Sequence, residues 1–299
     1  MVVEANFGGI VTMSYIITTD SGCDLSADYI KSINVLPIYM KYNIDEVEYS
    51  DTMVPEDLKE FFGKMVDGKM PKTAQINEAD YVSFWEPLLQ DGKDILHIAM
   101  SSGISGTYNN GRLAAEELCE KYPERKISVI DTLMTSTGNG LMVIKAAELR
   151  DGGASFEEVS DWCQNNRRCL HAAFTTDDIT YLQRGGRVSK AGLVLSKALH
   201  IYPVMHVNGD GELKVFAKAR GTQGAWSTIV NYIKDNGIDV ENQTVYVSDA
   251  DNIEGGKQLG ELLKKECGFK DVFYSRIGTI IGAHTGPKLL AIFFLGKAR

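Results

Sequence analysis

The sequence predicts an α/β fold in two parts: a parallel sheet covered by helices on both faces, then a smaller α/β unit with a sheet of mixed direction. Three observations carry this. The chain has 299 residues, more than a single domain usually holds. Its first half alternates short apolar runs with amphipathic stretches, the signature of strands and helices in a parallel sheet. Near residues 165 to 175 the pattern changes to strand pairs interspersed with helices.

In the first half, Tyr15 to Thr18, Val35 to Met40, Ile95 to Met100 and Ile127 to Ile130 read as buried strands. Pro55 to Val66 reads as a helix with Leu58, Phe61, Phe62 and Met65 on one face. Pro55 and the acidic pair Glu56-Asp57 suit its first turn. Leu113, Ala114 and Leu118 mark a second helical spacing. In the second half, His171 to Thr176 reads as a strand. Val204 to Val207 and Leu213 to Ala217 form a hairpin about Asn208-Gly209-Asp210-Gly211. Helices are expected over Thr222 to Lys234 and Glu254 to Cys267, with strands at Thr244 to Ser248, Val272 to Ile277 and Ala291 to Leu295.

Composition narrows the function. A net charge of −9 argues against nucleic acid, which needs clustered Lys and Arg, and against an anionic membrane surface. The longest apolar run, Leu289 to Leu295, is far too short to span a bilayer. Five scattered cysteines, Cys23, Cys119, Cys163, Cys169 and Cys267, form no CxxC pair and no Cys/His metal spacing. They read as reduced thiols of a cytoplasmic protein. The first twelve residues do not resemble a secretory signal and are set aside as an extension.

The stretch Ser101-Ser102-Gly103-Ile104-Ser105-Gly106-Thr107 follows an apolar run and opens a helix. Glycines let backbone approach a ligand, and a helix start offers free N–H groups to an anion. The loop carries hydroxyls but no permanent positive charge, which favours a small anion such as a carboxylate. The alternative is a Ser/Gly loop that only caps the helix. Three other loops share its chemistry: Thr19-Asp20-Ser21, Pro71 to Gln75, and Asp131 to Gly140. Together they suggest one hydroxyl-lined cleft beyond the strand ends, where ligands of parallel sheets gather.

Phosphate-binding signatures are absent, as is the GxSxG elbow, since Gly103-Ile104-Ser105-Gly106 is one residue short. A serine acyl hydrolase using Ser105, His284 and Asp131 stays open on spacing. His284 lies in a glycine-rich turn, Ile280 to Pro287, where it is either a structural residue or a neighbour of a bound group. Tyr181 to Ser189 is a basic turn in an acidic chain; Arg184 and Arg187 either pair with carboxylates or face a partner.

Thr19-Asp20-Ser21, Pro71 to Gln75, Ser101 to Asn109, Tyr181 to Ser189 and Gly282 to Pro287 occur in the order found in the DegV family of bacterial fatty-acid-binding proteins, which the chain resembles from Met13 to Arg299. The resemblance implies an α/β/α domain over 13–168 and a smaller mixed α/β domain over 169–299, behind the extension 1–12, with a long-chain fatty acid between them. It implies a carrier without catalytic residues, cofactor or metal, which presents its ligand to an ATP-dependent fatty acid kinase subunit for acyl-phosphate formation and phospholipid synthesis. Carried over by motif, Thr73 and Ser105 are the carboxylate ligands, Ser102 and His284 their neighbours, and Arg184 and Arg187 the kinase-facing pair. Two motifs depart from the family: Thr-Ser-Gln-Pro becomes Thr73-Ala74-Gln75-Ile76, and the Gly-Pro-Gly after the histidine becomes Gly286-Pro287-Lys288. The physics suits a fatty acid, because each buried methylene contributes roughly 0.8 kcal/mol and several neutral donors offset carboxylate desolvation. The rivals are the hydrolase and a lipid sensor without a kinase partner.

Overall fold

The structure is a computed structural model that describes residues 14–188 and 200–299. The extension 1–12 and Ser189 of the basic turn lie outside the described residues. The chain runs β1 (Tyr15–Asp20), α1 (Ala27–Ser32), β2 (Val35–Ile38), β3 (Lys41–Ile44), β4 (Val47–Ser50), α2 (Pro55–Val66), β5 (Lys72–Ala74) and α3 (Glu78–Gln90). It continues through β6 (Asp94–Ala99), α4 (Thr107–Lys121), β7 (Ile127–Asp131), α5 (Thr137–Asp151) and α6 (Phe156–Asn166). The remainder is β8 (Leu170–Thr175), α7 (Thr180–Arg184), β9 (Ile201–Val207), β10 (Leu213–Arg220), α8 (Gly221–Asn236), β11 (Thr244–Asp249), α9 (Ile253–Cys267), β12 (Asp271–Arg276), α10 (Thr279–Thr285) and β13 (Leu290–Leu295).

Four strands form the expected parallel sheet, in the order β2-β1-β6-β7. Both its faces are covered. Thr18 of β1 and Tyr81 of α3 bond the two ring nitrogens of His97 on one face. Tyr15, at the opposite parity of β1, packs edge-on against Phe156 of α6. Burial holds His97 neutral, its pKa pushed down to about 3.

The second half carries the mixed sheet, in the order β10-β9-β8-β13-β11-β12, in which β11 and β12 are parallel and the other pairs antiparallel. It has six strands against four, so the part expected to be smaller holds the larger sheet. Helix α5 is buried on nearly every side because it packs between the two sheets. One apolar cluster runs through both halves without a break.

Local signals account for several elements. In α2, Pro55 opens the helix, and Leu58, Phe61, Phe62 and Met65 are buried at helical spacing. Asn77 with Asp80 and Ser155 with Glu158 close capping boxes on α3 and α6. Asn208 accepts from the amides of Asp210 and Glu212 to shape the β9–β10 hairpin.

Three expectations are corrected. Val35 to Met40 is not one strand: β2 ends at Ile38, and the chain folds back into a small antiparallel sheet, β4-β3-β5. The Pro71 to Gln75 loop contains β5, so Thr73 sits on a strand paired with Tyr42. The glycine-rich turn before Pro287 is helix α10 as far as Thr285. Gly282 lies inside that helix because a Cβ there would come within 2.8 Å of the Phe62 ring.

The halves meet at the serine loop. Ser101 Oγ donates to the Gly211 carbonyl of the hairpin at 2.8 Å. A Cβ on Gly103 would lie 2.7 Å from the Asp210 carbonyl oxygen, so only glycine admits this approach. All five cysteines are unpaired, and no helix among the described residues is long and apolar enough to cross a membrane.

Candidate functional site

A cavity of about 240 Å³ lies beyond the carboxyl ends of the parallel strands, against the inner face of the mixed sheet. Strand alternation builds its apolar wall. Ala172 and Phe174 of β8, with Ala291 and Phe293 of β13, face the cavity, while Ala173 and Ile292 between them face the other core. Met40, Met100, Leu182, Val207, Leu213, Ile277, Ile280 and Ile281 extend the apolar lining.

Polar side chains gather on another part of the wall: Thr73 and Gln75, Ser105, Arg187 and His284. Thr73 Oγ1 and His284 Nε2 are 2.8 Å apart, which joins β5 to α10 across 211 residues of chain. Burial, with the Arg187 charge as a second cause, pushes the His284 pKa down to about 4, so the ring is neutral at neutral pH. With the proton on Nε2 the ring would donate to Thr73 Oγ1 and leave the Thr73 hydroxyl proton for a ligand. Ser105 Oγ accepts from the Thr107 amide and donates to Thr107 Oγ1, which fixes it at the start of α4. Gly106 packs directly under the Gln75 amide, where a Cβ would come within 3.1 Å of its Cδ.

The structure separates the two arginines. Arg184 ends α7, is exposed, and bonds Met70 Sδ at 3.4 Å. Arg187 turns inward into the cavity wall, with Nε on the Ile104 carbonyl at 3.3 Å and a second bond to the Gly185 carbonyl. Burial lowers its pKa from the ordinary arginine value, yet a guanidinium keeps its charge. The wall therefore holds a permanent cation that the serine loop itself lacks.

Ser102 does not line the cavity. It is exposed, and its hydroxyl and amide both donate to Asp131, at 2.5 and 3.1 Å. The carboxylate at the end of β7 draws it away from the ligand space. The same bonds leave the hydrolase relay unassembled, because Asp131 serves Ser102, Ser105 serves Thr107 and His284 serves Thr73. Gln75, Thr135, Ser136 and Thr285 also line the cavity without having been singled out. The first three lay within the hydroxyl-rich loops, whose composition was the available signal.

The fold and site thus define an α/β protein with a cavity between its parallel and mixed sheets, apolar over most of its wall and polar over the rest. Residues 14–297 match the family model described as "Uncharacterised protein, DegV family". A DegV domain-containing protein of Clostridium perfringens is 36% identical over 286 residues, covering 95% of this chain and 98% of that protein. Two solved structures share the fold across nearly the whole chain. A DegV family protein from Thermus thermophilus, described by its fatty acid binding, is 26% identical at a TM-score of 0.85, covering 95% of this chain and 100% of its own. DegV of Bacillus subtilis, a fatty acid binding protein, is 25% identical at 0.80, covering 96% and 100%. The chain belongs to the DegV family.

Proposed function

We propose that this protein binds one long-chain fatty acid in the cavity, tail against the β8–β13 wall and carboxylate at Thr73, Ser105, Arg187 and His284. The observation that carries this is the division of the cavity wall into apolar faces and a polar patch. Charge-assisted hydrogen bonds to several donors offset the desolvation of a carboxylate, and the apolar walls reward each methylene they cover. The fatty acid binding of the Thermus thermophilus and Bacillus subtilis relatives supports the same reading.

Protein purified from a bacterial host is expected to release a long-chain fatty acid in near-stoichiometric amount, seen by mass spectrometry of the extract. Thr73→Ala and Ser105→Ala should each weaken binding of a fluorescent fatty acid by about 1–3 kcal/mol, the contribution of a hydrogen bond to a charged group, the Ser105 hydroxyl turning from Thr107 Oγ1 to the carboxylate when the ligand binds. No extractable lipid, together with unchanged binding in both variants, would remove the reading.

The family resemblance extends the proposal to a cytoplasmic carrier that presents the carboxylate to a fatty acid kinase. Arg184, exposed and outside the cavity lining, is the cation we assign to that contact. With a fatty acid kinase, ATP and Mg²⁺ supplied, Arg184→Ala should slow acyl-phosphate formation several-fold while fatty-acid affinity stays as in the parent. Equal rates would rule out the docking role, and acyl-phosphate formed without kinase would rule out the carrier.

A further inference from the structure

Two hydroxyls in the cavity wall have no part in holding the carboxylate. Thr135 and Ser136 stand between β7 and α5, in the loop Asp131 to Gly140, and both line the cavity. Thr135 is 8% exposed, and its Oγ1 is buried without a hydrogen-bond partner. A buried hydroxyl left unsatisfied is unfavourable, so this atom asks for a partner from within the cavity.

Its neighbour Ser136 is already engaged. Its backbone lies at φ 56° and ψ −149°, a region adopted almost solely by glycine and costly for other residues. The strain is held by its side chain, which donates to Asp24 Oδ2 at 2.5 Å. Asp24 is itself buried behind the wall. Burial pushes the Asp24 carboxyl well above the ordinary carboxylate range, so the two side chains satisfy each other behind the wall. Thr135 Oγ1 retains both a donor and acceptor capacity.

Thr135 Oγ1 therefore suits a ligand group that can both donate to it and accept from it. An alcohol does this. A carboxylate is an acceptor only, and the Arg187 charge draws it to that part of the wall. We propose that Thr135 forms a second polar subsite, and that it selects fatty acids bearing a hydroxyl group along the acyl chain. The inference rests on the fatty-acid reading above and adds to it a preference among ligands.

The test is competition against a fluorescent fatty acid by octadecanoic acid and by its hydroxylated positional isomers. One position is expected to bind the native protein at least as tightly as octadecanoic acid. Isomers that bury the hydroxyl against the apolar wall should be roughly 10-fold weaker, the penalty of an unpartnered hydroxyl. In Thr135→Val, the Kd ratio of the favoured isomer to octadecanoic acid should rise about 10-fold. If octadecanoic acid binds and every isomer is weaker by one factor, or the variant leaves the ratio unchanged, the subsite is refuted and the cavity reading stands. Binding of none of these acids would overturn both. The isomer series in the native protein decides the matter even where the variant does not fold.

Discussion

Ala172→Phe is expected to lower fatty-acid affinity more than about 100-fold while leaving a folded protein. Ala172 sits on β8 beside Phe293 of β13 in register, and both face the cavity. A phenyl ring there fills space meant for the acyl tail. Displacing about four methylenes, at about 0.8 kcal/mol each, removes about 3 kcal/mol of binding. Titration with a fluorescent fatty acid measures the loss, and circular dichroism checks the fold. An affinity within a few-fold of the parent would mean that the tail does not lie against the β8–β13 wall.

A second large effect is expected in the pH dependence of stability. Asp20 ends β1, is fully buried, and accepts from the Met100 amide at 2.7 Å through Oδ2. Burial, only partly opposed by backbone hydrogen bonds from Met100 and Gly22, pushes its pKa up from 3.8 to about 7. The folded state therefore keeps a proton that the unfolded chain releases near pH 4. The stability this group contributes is complete below pH 3.8 and is lost as pH rises through 7. Three pKa units correspond to roughly 4 kcal/mol. Asp20→Asn retains a carbonyl for the Met100 amide and has no proton to lose. The stability of the variant relative to the parent should accordingly rise by on the order of 4 kcal/mol between pH 4 and pH 8. Urea unfolding at both pH values gives that difference, and a constant value would show that Asp20 is ionised in the folded protein.

Neighbouring residues encode part of this architecture directly. The helix α2 is legible because an apolar face at helical spacing and a proline start are local facts. The buried strands β1, β6 and β7 are legible as apolar runs, and the hairpin β9–β10 as a turn between two of them. The loops that build the cavity are visible as clusters of small polar residues at strand ends, and they include Thr73, Gln75, Ser105, Thr135 and Ser136.

Which of those residues share one space depends on long-range packing. Strand β5 has three residues and no apolar alternation, so it exists because β3 offers it an edge. Helix α10 looks like a turn until Phe61 and Phe62 are found packed against its glycine. Ser102 and Ser105 are three residues apart in one loop, yet the carboxylate of Asp131 takes the first and the cavity takes the second. Arg184 and Arg187 part in the same way, one to the surface and one inward, because the turn between them reverses the chain. The contact that joins Thr73 to His284 spans 211 residues. Such a pairing leaves no mark on local periodicity, since it arises only when the sheets pack and bring distant segments of chain to the same wall.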